Sequence, residues 1–492
     1  MYRLFVLSIA VLFGCNAFSQ QNSNNWVFGD SVGLNFSTPI PTFFKTSILS
    51  HEASASISDS LGNLLFYTNG QKVWDRINEV MPNGDSLNIG KLSFDDPSSI
   101  TQGVTILPKP GSNTMYYIFQ LQAENGPPDN YGLEYSIVEM TLNGGLGDVV
   151  SKNKDVFTGY LDEKMHAVKH ANGRDWWLTT MLSSANDTTL CLATFLITSD
   201  TILGPFTQCF TGLPDLGPPG AGSTGQMKFS QDGSKLAFTR NSYVLLFDFN
   251  RCSGTFSSMK SIFHEVGSYG CEFSYDNRML YVTWPSEGIL YQYCISCPEP
   301  IEDSRIMIYS NTYENYQLGA LQIARDEKIY VPLFQENYAH YEYSFANQNL
   351  SVINNPSNEG LSCNFDTLTI PLGDARCTAT LPNMPNYNLG ALAGSECDTL
   401  QIAVNNILPN EAFLIYPNPA SDNIYFKFSD NNLSLANINY ITITDITGHL
   451  VKNITQIQNN GIYIGDLVSG MYFVNITMLN NQSTIEKLFI EN

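Results

Sequence analysis

The sequence predicts an all-β chain: a β-propeller of six or seven blades, seven favoured, followed by a small Ig-like β-sandwich. Three observations predict this. Apolar residues alternate in short runs separated by Gly, Asn, Asp and Pro, with almost no helical periodicity. One phrase recurs along most of the chain: a short strand, a tight turn, and a second strand ending in aromatics. After Cys397 the texture changes, and seven further short strands fit into about eighty residues, the arithmetic of a small sandwich.

The clearest copies of the phrase are KFSQDGSKLAFT at 228–239, EFSYDNRMLYVT at 272–283 and QIARDEKIYV at 322–331. Looser copies are SISDSLGNLLFYT at 56–68, ILPKPGSNTMYYIF at 106–119 and VKHANGRDWWLTT at 168–180. Asp232-Gly233, Asp276-Asn277 and Asn172-Gly173 are turn dipeptides that tolerate positive φ. A third strand follows each pair, at Tyr243–Phe249, Leu290–Cys294 and Tyr341–Phe345, and then a more polar fourth. Four strands in roughly 45–60 residues make one propeller blade. One such sheet cannot bury both faces alone, so each blade must cover its neighbour. Six blades are readable directly. A seventh would be composite, built from Trp26–Phe28, Val32–Phe36 and Thr367–Pro371, and would close the ring with both ends of the domain.

The phrase FSQDGSKLAFT resembles the repeat of TolB-like and WD-type propellers, in which F-S-P-D-G-x-x-L-A-F recurs; Gln231 stands here where that pattern has Pro. Over residues 25–397 the chain also resembles propeller proteins fused to type IX secretion sorting tails. The shared phrases are NNWVFG, GNLLFYTNGQKVWD, MTLNGGLGDV, AVKHANGRDWWL and LPNMPNYNLG. The resemblance speaks to architecture and carries little about activity, because propellers host many functions.

The chain opens as a leader. Arg3 supplies a positive n-region, Leu4–Phe13 is apolar apart from Ser8, and Ala17-Phe18-Ser19 places small residues for cleavage after Ser19. Residues 1–19 are therefore expected to be a signal peptide, too short to span a bilayer. A rival reading is lipidation at Cys15, within Leu12-Phe13-Gly14-Cys15. No later run of eighteen apolar residues exists, so no transmembrane segment is expected. Residues 20–397 are expected to form the propeller, 398–411 (DTLQIAVNNILPNE) a linker, and 412–492 the sandwich.

Of the 492 residues, 43% are hydrophobic in type and only 14% charged, with a formal net charge of −22. So acidic a chain is repelled by nucleic acid and anionic lipid, and the acidity reads as solubility rather than as a calcium site. Ten cysteines suit an oxidising compartment. Cys252 with Cys271, and Cys363 with Cys377, are the expected disulfides, each flanking a short segment. Cys294-x-x-Cys297 lacks a second C-x-x-C and a βα setting, which argues against zinc or redox use. The odd number left after the leader implies at least one thiol that is unpaired or paired between chains.

Candidate chemistry is sparse. His166 and His170 lie four apart and share one side of a strand, where Glu163 would complete a metal site; the propeller resemblance instead implies that His170 is a framework residue. Gly220–Gly225 spells G-x-G-x-x-G but opens a strand, so no helix N-terminus exists to hold a pyrophosphate. No G-x-S-x-G elbow and no H-E-x-x-H occur. No catalytic residue, cofactor or metal ligand is therefore assigned. Trp176-Trp177, Tyr116-Tyr117 and Phe43-Phe44 read mainly as core between blades, and aromatics left on one rim would stack on sugar rings.

The end of the chain is the most specific part. LIYPNPASDNIYFKF at 414–428 places the turn Pro417-Asn418-Pro419 between two strands. Asp445-Ile446-Thr447-Gly448 separates ITIT from HLVKN, Leu467-Val468-Ser469-Gly470 leads into MYFVNITM, and Ile485–Ile490 is the last strand. These resemble the type IX sorting-tail family, which carries a Y-P-N-P opening, a D-x-x-G turn, an L-x-x-G-x-Y segment and a late Lys. The matching residues are Tyr416, Pro417, Asn418 and Pro419; Asp445 and Gly448; Leu467, Gly470 and Tyr472; and Lys487.

The resemblance implies a secretion signal read by outer-membrane machinery, cleavage by a sorting peptidase near 398–412, and cargo that is secreted or attached to surface lipopolysaccharide. The partners so implied are that machinery and its peptidase, with an unknown protein or glycan ligand on the propeller and no nucleic acid. Two functions fit: a non-enzymatic surface propeller that binds through its loop face, favoured because no catalytic motif is present, or a secreted hydrolase of polysaccharide or peptide with carboxylates in the axial channel.

Deleting residues 412–492 is expected to trap the protein in the periplasm. Cell fractionation with surface labelling measures this, and normal surface display of the truncated chain would refute the assignment.

Overall fold

The computed structural model describes residues 21–87, 100–122, 132–182, 189–211, 224–298, 300–335, 342–398, 413–428, 434–445, 450–455, 461–479 and 483–491. The leader, Cys15, most of the linker, Gly220 and Gly448 lie outside these residues. The chain separates into two compact units that divide between Leu392 and Ala393.

Among the described residues, seven antiparallel sheets of three or four strands follow one another in the first unit, with one two-stranded ribbon beside the last. Sheet I is Asn25–Phe28, Asp30–Asn35 and Thr42–Leu49, and sheet II is Ala55–Ser58, Leu64–Thr68 and Val73–Asp75. Sheet III is Val104–Pro108, Met115–Gln122, Gly132–Glu139 and Asp148–Thr158. Sheet IV is Leu161–Lys169, Trp176–Leu182, Thr189–Ile197 and Ile202–Thr211. Sheet V is Met227–Phe229, Lys235–Arg240, Tyr243–Asn250 and Thr255–Phe263, and sheet VI is Cys271–Phe273, Met279–Trp284, Ile289–Cys294 and Ile306–Ser310. Sheet VII is Gln322–Ile323, Ile329–Val331, Asn349–Ile353 and Phe365–Pro371, beside a ribbon pairing Tyr316–Leu318 with Leu333–Gln335.

Burial falls from first to last strand in the sheets other than II, whose last strand Val73–Asp75 is also buried. The first strands of sheets I, II, V, VI and VII are buried throughout, whereas Ile202–Thr211, the last strand of sheet IV, is mostly exposed. This is a propeller: the first strand of each sheet lines the axis, the last faces solvent, and the apolar faces pack sheet against sheet. Trp26, Phe36 and Tyr330 join sheets I and VII through ring contacts of 4.6–5.4 Å. Val27 N–H donates to Ser56 Oγ, joining sheets I and II.

The expected composite blade is not formed as written. Phe365–Pro371 pairs with Asn349–Ile353 in sheet VII and not with the N-terminal strands. The return to sheet I comes one step later, where Asp30 and Arg376 exchange backbone hydrogen bonds of 3.0 and 3.2 Å. The third strand expected at Tyr341–Phe345 is also displaced. Tyr341 lies outside the described residues, residues 342–344 are irregular, and the strand is Asn349–Ile353, because Leu333–Gln335 leaves sheet VII for the ribbon.

The axis is filled. Residues 377–385 are all buried although they form no regular strand. Ala379 N–H donates to the His51 carbonyl, and Ala320 N–H to the Ala379 carbonyl. Asn383 is the hub: its N–H donates to the Ser54 carbonyl, and its Nδ2 to the Val104 and Met165 carbonyls at 3.2 and 3.0 Å. Its Oδ1 accepts from Gln102 Nε2 at 3.1 Å. Beyond it, Tyr387 Oη donates to the Ile106 carbonyl and Asn386 Nδ2 to the Gln231 carbonyl.

The cysteine pairing differs from expectation. Cys191 and Cys209, directly opposite on adjacent strands of sheet IV, form a disulfide, as do Cys294 and Cys297. Cys252 and Cys397 are both disulfide-bonded. Cys271, Cys363 and Cys377 are free and buried, so neither Cys252–Cys271 nor Cys363–Cys377 forms. The expected partners are held apart by the sheets: Cys271, on the axial strand of sheet VI, points its Sγ at the Gln226 carbonyl, and Cys377, on the returning segment, points its Sγ at the Leu333 carbonyl. Bridging requires Cα atoms within about 7 Å and converging Cβ vectors, which flanking a short segment does not guarantee.

The second unit is a sandwich. Phe413–Tyr416, Asn423–Phe428 and Ile462–Tyr463 make one sheet; Leu450–Ile454, Ile438–Asp445, Gly470–Met478 and Ser483–Ile490 make the other. Ile424, Ile441, Ile443, Ile464, Val474, Ile476 and Leu488 form its core.

Asn383→Leu is expected to destabilise the protein by about 3 kcal/mol, because the Val104 and Met165 carbonyls and the Gln102 amide lose their partner inside the core. Urea unfolding measures this; an unchanged midpoint would show that the plug does not brace the ring.

Candidate functional site

The axial strands run in one direction around the plug, so each contributes residues to both ends of the axis. At the end where the hairpin turns cluster lies a cavity of about 450 Å³. Its lining comes from sheets IV to VII (His166, Lys228, Glu272, Gln322) and from the plug residues Met384–Gly390, with Tyr275, Arg325 and Glu327 also on its wall.

The inner charges are matched. Lys228 Nζ lies 3.2 Å from Glu272 Oε2, with both side chains almost wholly buried, and also donates to Gln322 Oε1. Glu272 accepts the Phe273 and Ile323 N–H groups, so every oxygen has a partner, while burial pushes its carboxyl up. His166 Nδ1 accepts the Phe229 N–H at 3.2 Å, which places the ring proton on Nε2. That Nε2 is buried and faces the Met384 carbonyl outside hydrogen-bonding geometry. Burial, with Lys228 nearby, holds His166 well below the usual imidazole range, so the ring is neutral.

At the opposite end sits a buried acidic group. Thr101 Oγ1 lies 3.5 Å from Glu52 Oε1 and 3.4 Å from Glu163 Oε2, and Tyr269 Oη donates to Glu52 Oε1 at 2.5 Å. Loss of water pushes Glu163 up to about 7, opposed by the Thr101 N–H and by Lys164. Beside it Asp162 pairs with Arg240 at 2.9 Å and lies 3.9 Å from Lys164, whose ammonium burial lowers to about 8.

Glu163, His166 and His170 are not brought together. Glu163 faces Thr101 and His166 faces Phe229. His170 is held by its own turn: Nδ1 accepts the Asn172 N–H and Nε2 donates to the Cys252 carbonyl, each at 3.1 Å. Among the described residues no group of three His, Cys, Asp or Glu side chains is placed to hold a metal ion. Sequence reasoning passed over Lys228, Glu272 and Glu52, and weighed Glu163 only as a metal ligand. Lys228 and Glu272 occupy equivalent places in two copies of the repeat, and this was the signal available.

In the second unit the motif residues converge. Asn418 Nδ2 donates to the Lys487 carbonyl at 2.7 Å, and Asn418 Oδ1 accepts the Phe489 N–H at 2.9 Å. The Tyr416-Pro417-Asn418-Pro419 turn is thereby clamped to the last strand, with both prolyl bonds cis. Asp445 pairs with Tyr472 across adjacent strands, and Tyr472 Oη donates to the Val468 carbonyl at 2.8 Å. Leu467 packs on the core, and Gly470 opens the strand.

Residues 414–491 match the family of the secretion system C-terminal sorting domain. The chain therefore ends in a sorting domain, which implies export to a secreted or cell-surface location through the type IX system. Among the described residues no helix is long and apolar enough to cross a membrane. No curated protein matches the chain. Solved structures similar to it include the periplasmic gluconolactonase of Pseudomonas aeruginosa, at 11% identity and a TM-score of 0.37, covering 87% of this chain and 98% of that one. Another is the β-propeller domain of Myceliophteria thermophila Cps50 (Swd1), at 10% identity and a TM-score of 0.37, covering 63% of this chain and 92% of that one. Likeness of this degree transfers no activity.

Folded Glu163 keeps its proton up to about pH 7, whereas the unfolded side chain loses it near 4.5. The folded state binds more protons in between, so this group's contribution is fully present below about pH 4.5 and is lost as pH rises to about 7. Glu163→Gln is expected to remove that fall. Unfolding free energies of both proteins across the window measure it, and parallel pH profiles would show that Glu163 does not titrate there.

Proposed function

We propose that this chain is an exported, seven-bladed propeller that acts as a non-enzymatic binding module for protein or glycan, with its ligand seated at the hairpin-turn end of the axis. The carrying observation is the plug. Residues 377–385 fill the axial channel with buried chain, and the cavity forms where the plug emerges at Met384–Gly390. A concave, preformed site at the mouth of a ring is where a propeller presents ligands. The charges on its floor are neutralised by each other, so they serve orientation rather than proton transfer.

A hydrolase remains the second reading, and one observation favours it. Glu52 and Glu163 converge on Thr101, and Glu163 holds a proton near neutral pH, as a general acid must. Both carboxylates are buried, and the first channel residues beside them are plug residues: Thr380 Oγ1 donates to the Glu52 carbonyl.

A hydrolase screen on polysaccharide and peptide substrates, run beside a binding screen on glycans and surface proteins, separates the two. Binding without turnover is expected. Turnover abolished by Glu52→Gln or by Glu163→Gln would replace the binding reading with the hydrolase.

A further inference from the structure

The turn-end cavity has a chemistry that selects among ligands. Its innermost charge is already matched: Lys228 is bound by Glu272 and Gln322. Arg325, whose Nη1 donates to the neutral Gln21 Oε1 and Asn24 Oδ1 at 3.0 and 2.6 Å, and the exposed Glu327 stand on the outer wall with opposite signs, and the net charge of −22 disfavours anions. Neutral polar groups line the rest, among them Ser230, Gln231, Asn386 and Asn388. The Asn388 backbone N–H is turned onto Asn386 Oδ1, and Asn388 is exposed on the cavity wall.

At the mouth, Tyr275 sits in the turn of sheet VI with 51% of its surface exposed. An aromatic ring beside neutral donors and acceptors matches a pyranose, which has an apolar C–H face and an equatorial belt of hydroxyls. A cavity of about 450 Å³ falls within the range of small-ligand sites.

We propose that this cavity is a subsite for a neutral saccharide, a mono- or disaccharide unit of a longer glycan, stacked on Tyr275 and hydrogen-bonded by Asn388. The inference rests on the binding reading above and names its ligand class. Tyr275 supplies area and orientation, because stacking is favourable in many registers. Asn388 supplies selection, because a ligand that reaches its amide gains a hydrogen bond that one without a matching hydroxyl does not.

The test uses the full chain, with cello-, malto-, manno-, xylo- and chito-oligosaccharides as probes, oligogalacturonate as the acidic comparison, and a peptide array alongside. Calorimetry on the best oligosaccharide is expected to show binding that weakens about tenfold in Tyr275→Ala and in Asn388→Ala. Tyr440→Ala, in the sorting domain, is expected to bind as the wild type does. Neutral-oligosaccharide binding that both cavity variants leave unchanged would overturn the site while keeping a glycan-binding protein. Preference for oligogalacturonate, or peptide binding lost in Tyr275→Ala, would overturn the saccharide class while keeping the cavity. No binding to any probe would overturn both this inference and the binding reading.

Discussion

Every sheet of the propeller presents to the axis a strand whose outer edge has no strand to pair with, and the peptide groups on those edges must find partners without water. The molecule meets this demand with side chains. Gln102 bonds both the N–H and the carbonyl of Met227. Gln226 Oε1 accepts the Cys271 and Leu321 N–H groups, and its Nε2 donates to the Leu321 carbonyl. His166 accepts from Phe229, Glu272 from Ile323, and Asn383 spans the Val104 and Met165 carbonyls. Buried amides, an imidazole and a carboxylate thus replace the hydrogen-bond ladder that sheet pairing would supply.

This solution explains why so many polar residues are buried in a chain with few charges. A side chain that staples one strand to the next is not free for chemistry, and Glu272 and the Nδ1 of His166 are used this way. What remains for a ligand lies just beyond the staples, at the two ends of the axis. One end is a polar cavity with Tyr275 at its mouth. The other is a closed acidic group around Thr101, where loss of water, rather than an opposing charge, governs protonation.

The sorting domain is organised by the same economy on a smaller scale. A single amide, Asn418, uses its donor and its acceptor on the last strand, so the opening turn and the terminal segment act as one surface. The hydrophobic core beneath is built almost entirely from alternate Ile, Val and Leu positions. Sequence elements some seventy residues apart are joined there by two hydrogen bonds. That proximity gives a physical reason why the Asn of the Y-P-N-P turn and the last strand belong to one motif, since both bonds are to the strand's backbone.

Much of this was legible in the residues. Period-two alternation and the turn dipeptides Asp232-Gly233 and Asp276-Asn277 determine a repeated hairpin wherever they occur, because both are local demands of backbone geometry. The order of sheets and the sandwich strands followed from them. The cysteine pairs were not legible: Cys191 and Cys209 meet only because two strands of sheet IV fall into register, while Cys271 and Cys377 are committed to separate places. Nor was the plug. LPNMPNYNLG has the Pro and Asn of an exposed loop, and only the closed ring makes it core, by surrounding it with unpaired peptide groups that its amides satisfy. Local pattern determined which strands exist; which side chains meet at the axis was decided by closure, since that contact set depends on residues hundreds of positions apart.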